Sequence, residues 1–148
     1  MNHRGMLLAL ALLLGVGCSA FNRDWKVAGE ESFTGIEGRW TGHWKSDHNQ
    51  HNGSMRAIIR RKEEDIYHTQ FHAKYKVGII TVGYGYDMNM TVTNEGPNYQ
   101  FTGEADLGKV AGGVYRYQGS GTTNQITIRF RSPKDHGTFR LQRPEETD

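Results

Sequence analysis

Between Val77 and Thr93 the side chains Ile80, Val82, Tyr84, Tyr86, Met88, Met90 and Val92 keep one phase of a strict two-residue alternation. Only an extended strand puts every second side chain on one face; a helix needs a period of 3.6. The run is longer than an ordinary strand. It is either one long bent strand or two strands around Gly83-Tyr84-Gly85, where glycine permits a bulge or kink.

The same alternation governs most of the chain, and no sustained helical period appears. Trp40, Gly42 and Trp44 share a face, with Arg39, Thr41 and His43 behind them. Met55, Ala57 and Ile59 form a second set, and Tyr67, Thr69, Phe71, Ala73 and Tyr75 a third. His68 and His72 fall on the reverse of that third set, where solvent is expected. Further runs cover residues 99–103, 113–119, 125–131 and 138–143. Asn52-Gly53, Asn94-Glu95-Gly96-Pro97, Gly119-Ser120-Gly121 and Ser132-Pro133-Lys134-Asp135 are turn signals between them. The pattern predicts an all-β fold, a single antiparallel up-and-down β-barrel of about eight strands, which closes its own edges. A sandwich is the alternative. It needs longer crossing connections than the sequence offers, except around Asp106 to Gly112.

Ahead of the barrel, His3 and Arg4 precede the apolar run Met6–Leu14, and Gly15-Val16-Gly17 leads to Cys18. A charged start, a short apolar core and small residues before a cut are the parts of an export signal. The run is far short of the roughly 20 residues that span a bilayer as a helix. The expected layout is a signal over residues 1–17, a tether over 18–34, the barrel domain over 35–143 and a frayed tail over 144–148. The tether shows little periodicity, and its Trp25 and Phe33 are expected to dock on the domain or to lie at a bilayer surface. Cys18 is the only cysteine, so the domain needs a real core in place of disulfides.

Removing the signal takes away Arg4 alone from 18 basic residues set against 16 acidic ones. That near balance argues against an electrostatic nucleic-acid binder. Arg60-Arg61-Lys62, followed by Glu63-Glu64-Asp65, reads as a solvated turn. No Gly-x-Ser-x-Gly elbow, phosphate loop or paired-carboxylate spacing is present, so no enzyme activity and no cofactor is expected.

Closure of the barrel pairs the first strand with the last. If Phe139 lies near Trp44, Arg143 lies near Trp40, where a cation over the indole caps the barrel end. The same register brings Asp47, His48 and His51 of the first hairpin loop toward Asp135 and His136 at the other end. Three readings of this cluster stand: a network bracing the loops, a polar rim facing a ligand, or a divalent metal site using imidazole and carboxylate. Trp44, Tyr67, Phe71, Tyr84, Tyr86, Tyr115 and Tyr117 are candidate interior residues. Buried tyrosines need hydroxyl partners. An aromatic, hydroxyl-lined cup suits a small, partly apolar ligand, and the same rings could equally fill a small barrel.

Leu14-Gly15-Val16-Gly17-Cys18 resembles the lipobox of bacterial lipoproteins, with leucine one position further from the cysteine than usual. The resemblance implies acylation of Cys18, cleavage before it and anchoring in the cell envelope. The favoured site is the periplasmic side of the outer membrane, because Ser19 lacks the retention signal that aspartate supplies there. Plain secretion is the alternative. Gly38-x-Trp40 with Arg143 resembles the lipocalin-like barrels of the calycin superfamily, which implies a barrel that carries a small ligand. Gly-x-Trp-x-Gly-x-Trp with Asp-His-Gly-x-Phe-x-Leu-x-Arg also resembles small uncharacterised bacterial envelope proteins, and no activity follows from that likeness. Haem-binding barrels of the nitrobindin type share Gly-x-Trp, but their further glycine pattern is missing. The expected function is therefore a lipid-anchored envelope barrel for a small, partly apolar ligand, the alternatives being a filled interaction module or a metal-dependent enzyme at the mouth.

Overall fold

The computed structural model describes residues 20–110 and 112–146. The signal, Cys18 and the last two residues of the tail lie outside the described residues. Eight strands form a closed, all-antiparallel barrel in simple sequence order, β1 pairing with β8. They are β1 (Gly38–Ser46), β2 (Asn52–Arg61), β3 (Ile66–Val77), β4 (Ile80–Glu95), β5 (Asn98–Asp106), β6 (Val114–Gly121), β7 (Gln125–Arg131) and β8 (His136–Gln142). Strand neighbours are sequence neighbours throughout, which removes the sandwich. The segment around Asp106 to Gly112 is a loop within the β5–β6 hairpin and crosses nothing.

The long run resolves as one strand. β4 is 16 residues long and turns back on β3 at Val77↔Ile80. Its other edge meets β5 only from Met90↔Gly103 to Glu95↔Asn98. Ile80–Asn89 therefore pairs with β3 alone, and the barrel wall is open there as a slit between β4 and β5.

Inward side chains make one core that contains Trp40, Met55, Ile59, Phe71, Met90, Phe101, Tyr117, Ile128 and Phe139. The wall curves tightly enough that Gly42 and Gly53 are required. A Cβ on Gly42 would strike the carbonyl oxygen of Arg140, and one on Gly53 that of Lys74.

The stretch expected to be an aperiodic tether is instead helical over residues 20–30, labelled α1. Phe21, Trp25 and Ala28 follow the i, i+4, i+7 rule and pack on Ile58, an outward residue of β2. Three apolar positions are too few to stand out in a window rich in Asn, Arg, Asp, Lys and Glu. Arg56 lies over the rings of both Phe21 and Trp25, and Arg39 over Trp25. Gln70 donates to the Asp24 carboxylate at 2.9 Å. The helix changes two expectations. Arg60 is no solvated turn residue: it grips Glu31 at the end of α1 with both guanidinium nitrogens, at 2.5 and 3.1 Å, and covers Phe33. His72, on the outward face expected to meet solvent, is buried beneath Phe21.

Candidate functional site

The barrel's two ends differ in construction. At the end reached by β8, the Arg143 guanidinium carbon sits 4.0 Å from the Trp40 ring centroid. The guanidinium donates to the carbonyls of Gly35, Glu37, Arg39 and Thr123, while Trp40 donates its indole N–H to Ile36 O at 2.9 Å. Burial pulls the Arg143 pKa down from the usual guanidinium range. These five donated bonds tie the entry to β1, the end of β8 and the β6–β7 turn together and close this end.

The opposite end carries the β1–β2, β3–β4, β5–β6 and β7–β8 connections and is the mouth. On its β1–β8 side, Ser46 is fully buried and organises the turns. Its hydroxyl donates to Asp135 Oδ1 at 2.5 Å and accepts from the amides of His48 and Asn49. The same Asp135 oxygen accepts from the His136 amide, and Asp47 donates its amide to His136 O at 2.8 Å. His51 contributes its backbone carbonyl to Ser46 N. The cluster is thus joined through Ser46 and main chain. Only the rings of His48 and His136 approach each other, with centroids 6.3 Å apart. Among the described residues no group of three or more histidines and carboxylates is placed to hold a metal ion. Sequence reasoning missed Ser46. As a small polar residue ending the inward phase of Trp40 and Trp44, it gave no signal until the β7–β8 turn was folded against it.

The interior candidates divide by level. Phe71 is buried at mid-barrel, and Tyr67 lies toward the Arg143 end, over which Arg61 stacks at 5.9 Å. Above Phe71 the mouth half is a continuous aromatic cluster. Tyr86 stacks on Phe71 with centroids 5.3 Å apart and meets Tyr84 at 6.0 Å. Tyr115 meets Tyr117 at 6.4 Å and Phe130 at 6.0 Å. Trp44 is partly buried on the far wall and donates its indole N–H to Lys74 O at 3.0 Å.

Where the β4 and β5 backbones part, side chains bridge the slit. The hydroxyls of Tyr117 and Tyr86 meet at 3.0 Å, and Met88 reaches Gly103. Burial, reinforced by Tyr117, pushes the Tyr86 phenol well above its usual range; burial likewise raises Tyr117 and, less strongly, Tyr84. In the upper barrel the tyrosine rings pack on one another, Tyr115 and Tyr117 buried and Tyr84 and Tyr86 partly exposed toward the mouth. Such a cluster offers flat apolar faces and neutral hydroxyls, a surface that suits an amphipathic molecule.

Outside the wall, consecutive residues of β5, β6, β7 and β8 line an open groove of about 730 Å³. Arg116, Arg129 and Arg131 rim it, with Glu104 and Asp47 as counter-charges.

No family model matches the chain, and no curated protein does. Among solved structures, a redesigned beta barrel is similar over 74% of this chain and 92% of its own, at 13% identity and a TM-score of 0.50. A mutant of the fluorescent protein UnaG is similar over 75% of this chain and 97% of its own, at 10% identity and a TM-score of 0.39. Secretory abundant heat soluble protein 4 from Ramazzottius varieornatus is similar over 78% and 100%, at 11% identity and a TM-score of 0.38. The likeness to the redesigned barrel concerns the fold alone.

Proposed function

We propose that this chain is a non-catalytic, lipid-anchored barrel of the bacterial cell envelope that holds a small, partly apolar molecule in its mouth. The observation that carries the reading is the aromatic cluster of Tyr84, Tyr86, Tyr115 and Tyr117 beside the unpaired length of β4, which we read as a ligand cup. The cup lies above a packed floor, so the ligand is held near the rim and not enclosed at mid-barrel. Cys18 supplies the anchor through acylation after export, and the outer membrane is its favoured location. Titration with N-phenyl-1-naphthylamine tests the cup. Saturable fluorescence that weakens at least about fivefold in Tyr84→Ala and Tyr115→Ala supports it. No saturable signal, with a single bare mass for protein purified from its native membrane, removes it. For the anchor, Cys18→Ala should lose the lipid-modified mass and mislocalise a barrel that still folds.

A second reading is an interaction module with a solid barrel. The arginine-rimmed groove across β5–β8 favours it, because it lies outside the wall and needs no ligand within. Crosslinking in intact cells through Arg129→Cys would recover a protein partner under this reading and none under the first.

A further inference from the structure

The mouth carries an apolar feature that the ligand cup does not use. At the tip of the β3–β4 hairpin, Ile79 is fully exposed, with Val77 and Ile80 more than half exposed beside it. Across the slit, the β5–β6 loop presents Val110, also fully exposed, and Val114 is partly exposed at the start of β6. Two separate connections thus hold bare β-branched side chains out from the same end of one barrel. Water gains nothing from such an arrangement, and exposed apolar tips of this kind mark contact with another phase or molecule.

The charge on the two tips themselves is of one sign, with one acid, Asp106, flanking the β5–β6 loop. The hairpin from Lys74 to Gly83 contains Lys74 and Lys76 and no acid, and the loop from Leu107 to Val114 contains Lys109 and no acid. All three lysines are exposed. Asp106, next to the loop, turns its carboxylate back to accept from the Gly108 amide at 2.9 Å. Asp47 and Asp135 lie on the other side of the mouth, in the network around Ser46.

The direction of α1 adds an independent observation. Phe21, at its start, lies against His72 and Arg56, whereas Glu31, just past its end, reaches Arg60. β2 runs from the mouth toward the Arg143 end, so α1 runs the same way. The start of α1 therefore lies nearer the mouth than its end, on the outer face of β2–β3.

We infer that the barrel docks mouth-down on an anionic lipid bilayer, with Ile79, Ile80 and Val110 entering the interface and Lys74, Lys76 and Lys109 meeting the headgroups. Apolar tips ringed by basic residues are what interfacial binding requires, and each lysine near an anionic surface contributes measurably. This inference deepens the proposed function, since it places the cup where an apolar ligand would pass between protein and membrane. Its geometry does not depend on that ligand.

The test uses the full chain carrying Cys18→Ser, so that one engineered cysteine is the only thiol. Ile79→Cys, Val110→Cys and, at the opposite end, Glu95→Cys are each labelled with an NBD fluorophore. Vesicles contain phosphatidylglycerol with phosphatidylcholine and nitroxide-labelled lipid. Docking predicts strong quenching at positions 79 and 110 and little at 95, even though the N-terminal apolar run is present in all three. Lys76→Glu with Lys109→Glu should weaken tip quenching at least about fivefold per lysine, and added salt should weaken it too. Equal quenching at both ends, or none at the tips, would overturn the inference. So would a blue shift at the tips that depends on protein concentration without vesicles, which would mean a second copy of the chain covers them. A chain that binds N-phenyl-1-naphthylamine yet shows no tip quenching loses the docking and keeps the ligand cup; the converse result loses the cup and keeps the docking.

Discussion

His72 and Phe21 lie face to face, with ring centroids 5.0 Å apart and planes inclined by 21°. One is a polar residue on the outer wall of β3, and the other opens the apolar stripe of α1. The contact makes helix docking sensitive to protonation. Burial holds the His72 pKa below the usual histidine range, and Arg56 and Lys74 push it the same way. The unfolded chain takes up a proton near pH 6.5 that the folded chain refuses. Stability is therefore level above that pH and falls as pH drops through and below it. Thermal melts between about pH 8 and about pH 5 should show the decline, and His72→Phe should flatten it. An unchanged slope in that variant would move the effect elsewhere.

The helix itself should contribute a definite share of stability. Trp25 is buried against Ile58 and sandwiched by Arg39 and Arg56. Truncating it removes a large apolar surface and two cation–ring contacts. Trp25→Ala should cost about 2–4 kcal/mol in urea unfolding. A loss under about 0.5 kcal/mol would mean that α1 hardly holds on to the barrel in solution.

What could be read from the sequence depended on whether local pattern or distant packing decided the outcome. The barrel was legible because alternation is a property of neighbouring residues, and because Phe139 and Trp44 must face the same interior once β1 meets β8. That register also puts Arg143 over Trp40. α1 was not legible, since the apolar partner of its three apolar residues on the barrel wall is Ile58, and a lone apolar residue on an outward face carries no signal by itself. His72 changed from exposed to buried for the same reason. Of the three readings open for the mouth histidines, the network bracing the loops is the one whose hydrogen bonds the fold displays, and it is made with their main chain. The serine that joins them, Ser46, finds Asp135, 89 residues further along the chain.

Arg143 should be among the most sensitive positions of the barrel. It replaces the water that four carbonyls would otherwise need and covers Trp40 at the same time. Arg143→Ala leaves those carbonyls without their donor and should cost roughly 3–5 kcal/mol. Lysine keeps the charge but not the planar fork, so Arg143→Lys should recover less than half of that. Chemical denaturation of both variants checks the order; equal stability of Lys and Arg would show that charge alone caps the end.

Gly42 tests the curvature of the wall. Its missing Cβ is where the Arg140 carbonyl of β8 comes in, across the seam that closes the barrel. Gly42→Ala should separate β1 from β8 or prevent folding, a loss of at least about 2–3 kcal/mol. At Gly96, where φ is positive and the space around it is open, alanine meets only backbone strain. Gly96→Ala should cost about 1 kcal/mol. Reversal of that order in thermal melts would mean the seam can open without penalty.

The Tyr86–Tyr117 pair makes an alkaline prediction. Both phenols are pushed above the usual tyrosine range, mainly by burial. A folded-state pKa raised in this way favours the neutral phenol in the barrel. Stability is therefore full below the unfolded value near pH 10 and declines as pH rises above it. A spectrophotometric titration followed together with circular dichroism checks this. The absorbance from Tyr86 and Tyr117 should appear only with loss of the barrel's circular dichroism. Tyr86→Phe removes the hydroxyl that faces Tyr117 at 3.0 Å. It should cost about 1 kcal/mol at neutral pH and make stability above pH 10 less steep. If all tyrosines titrate together in the folded protein, the cup is wetter than its packing implies, and the hydroxyl bridge across the slit is not its closing contact.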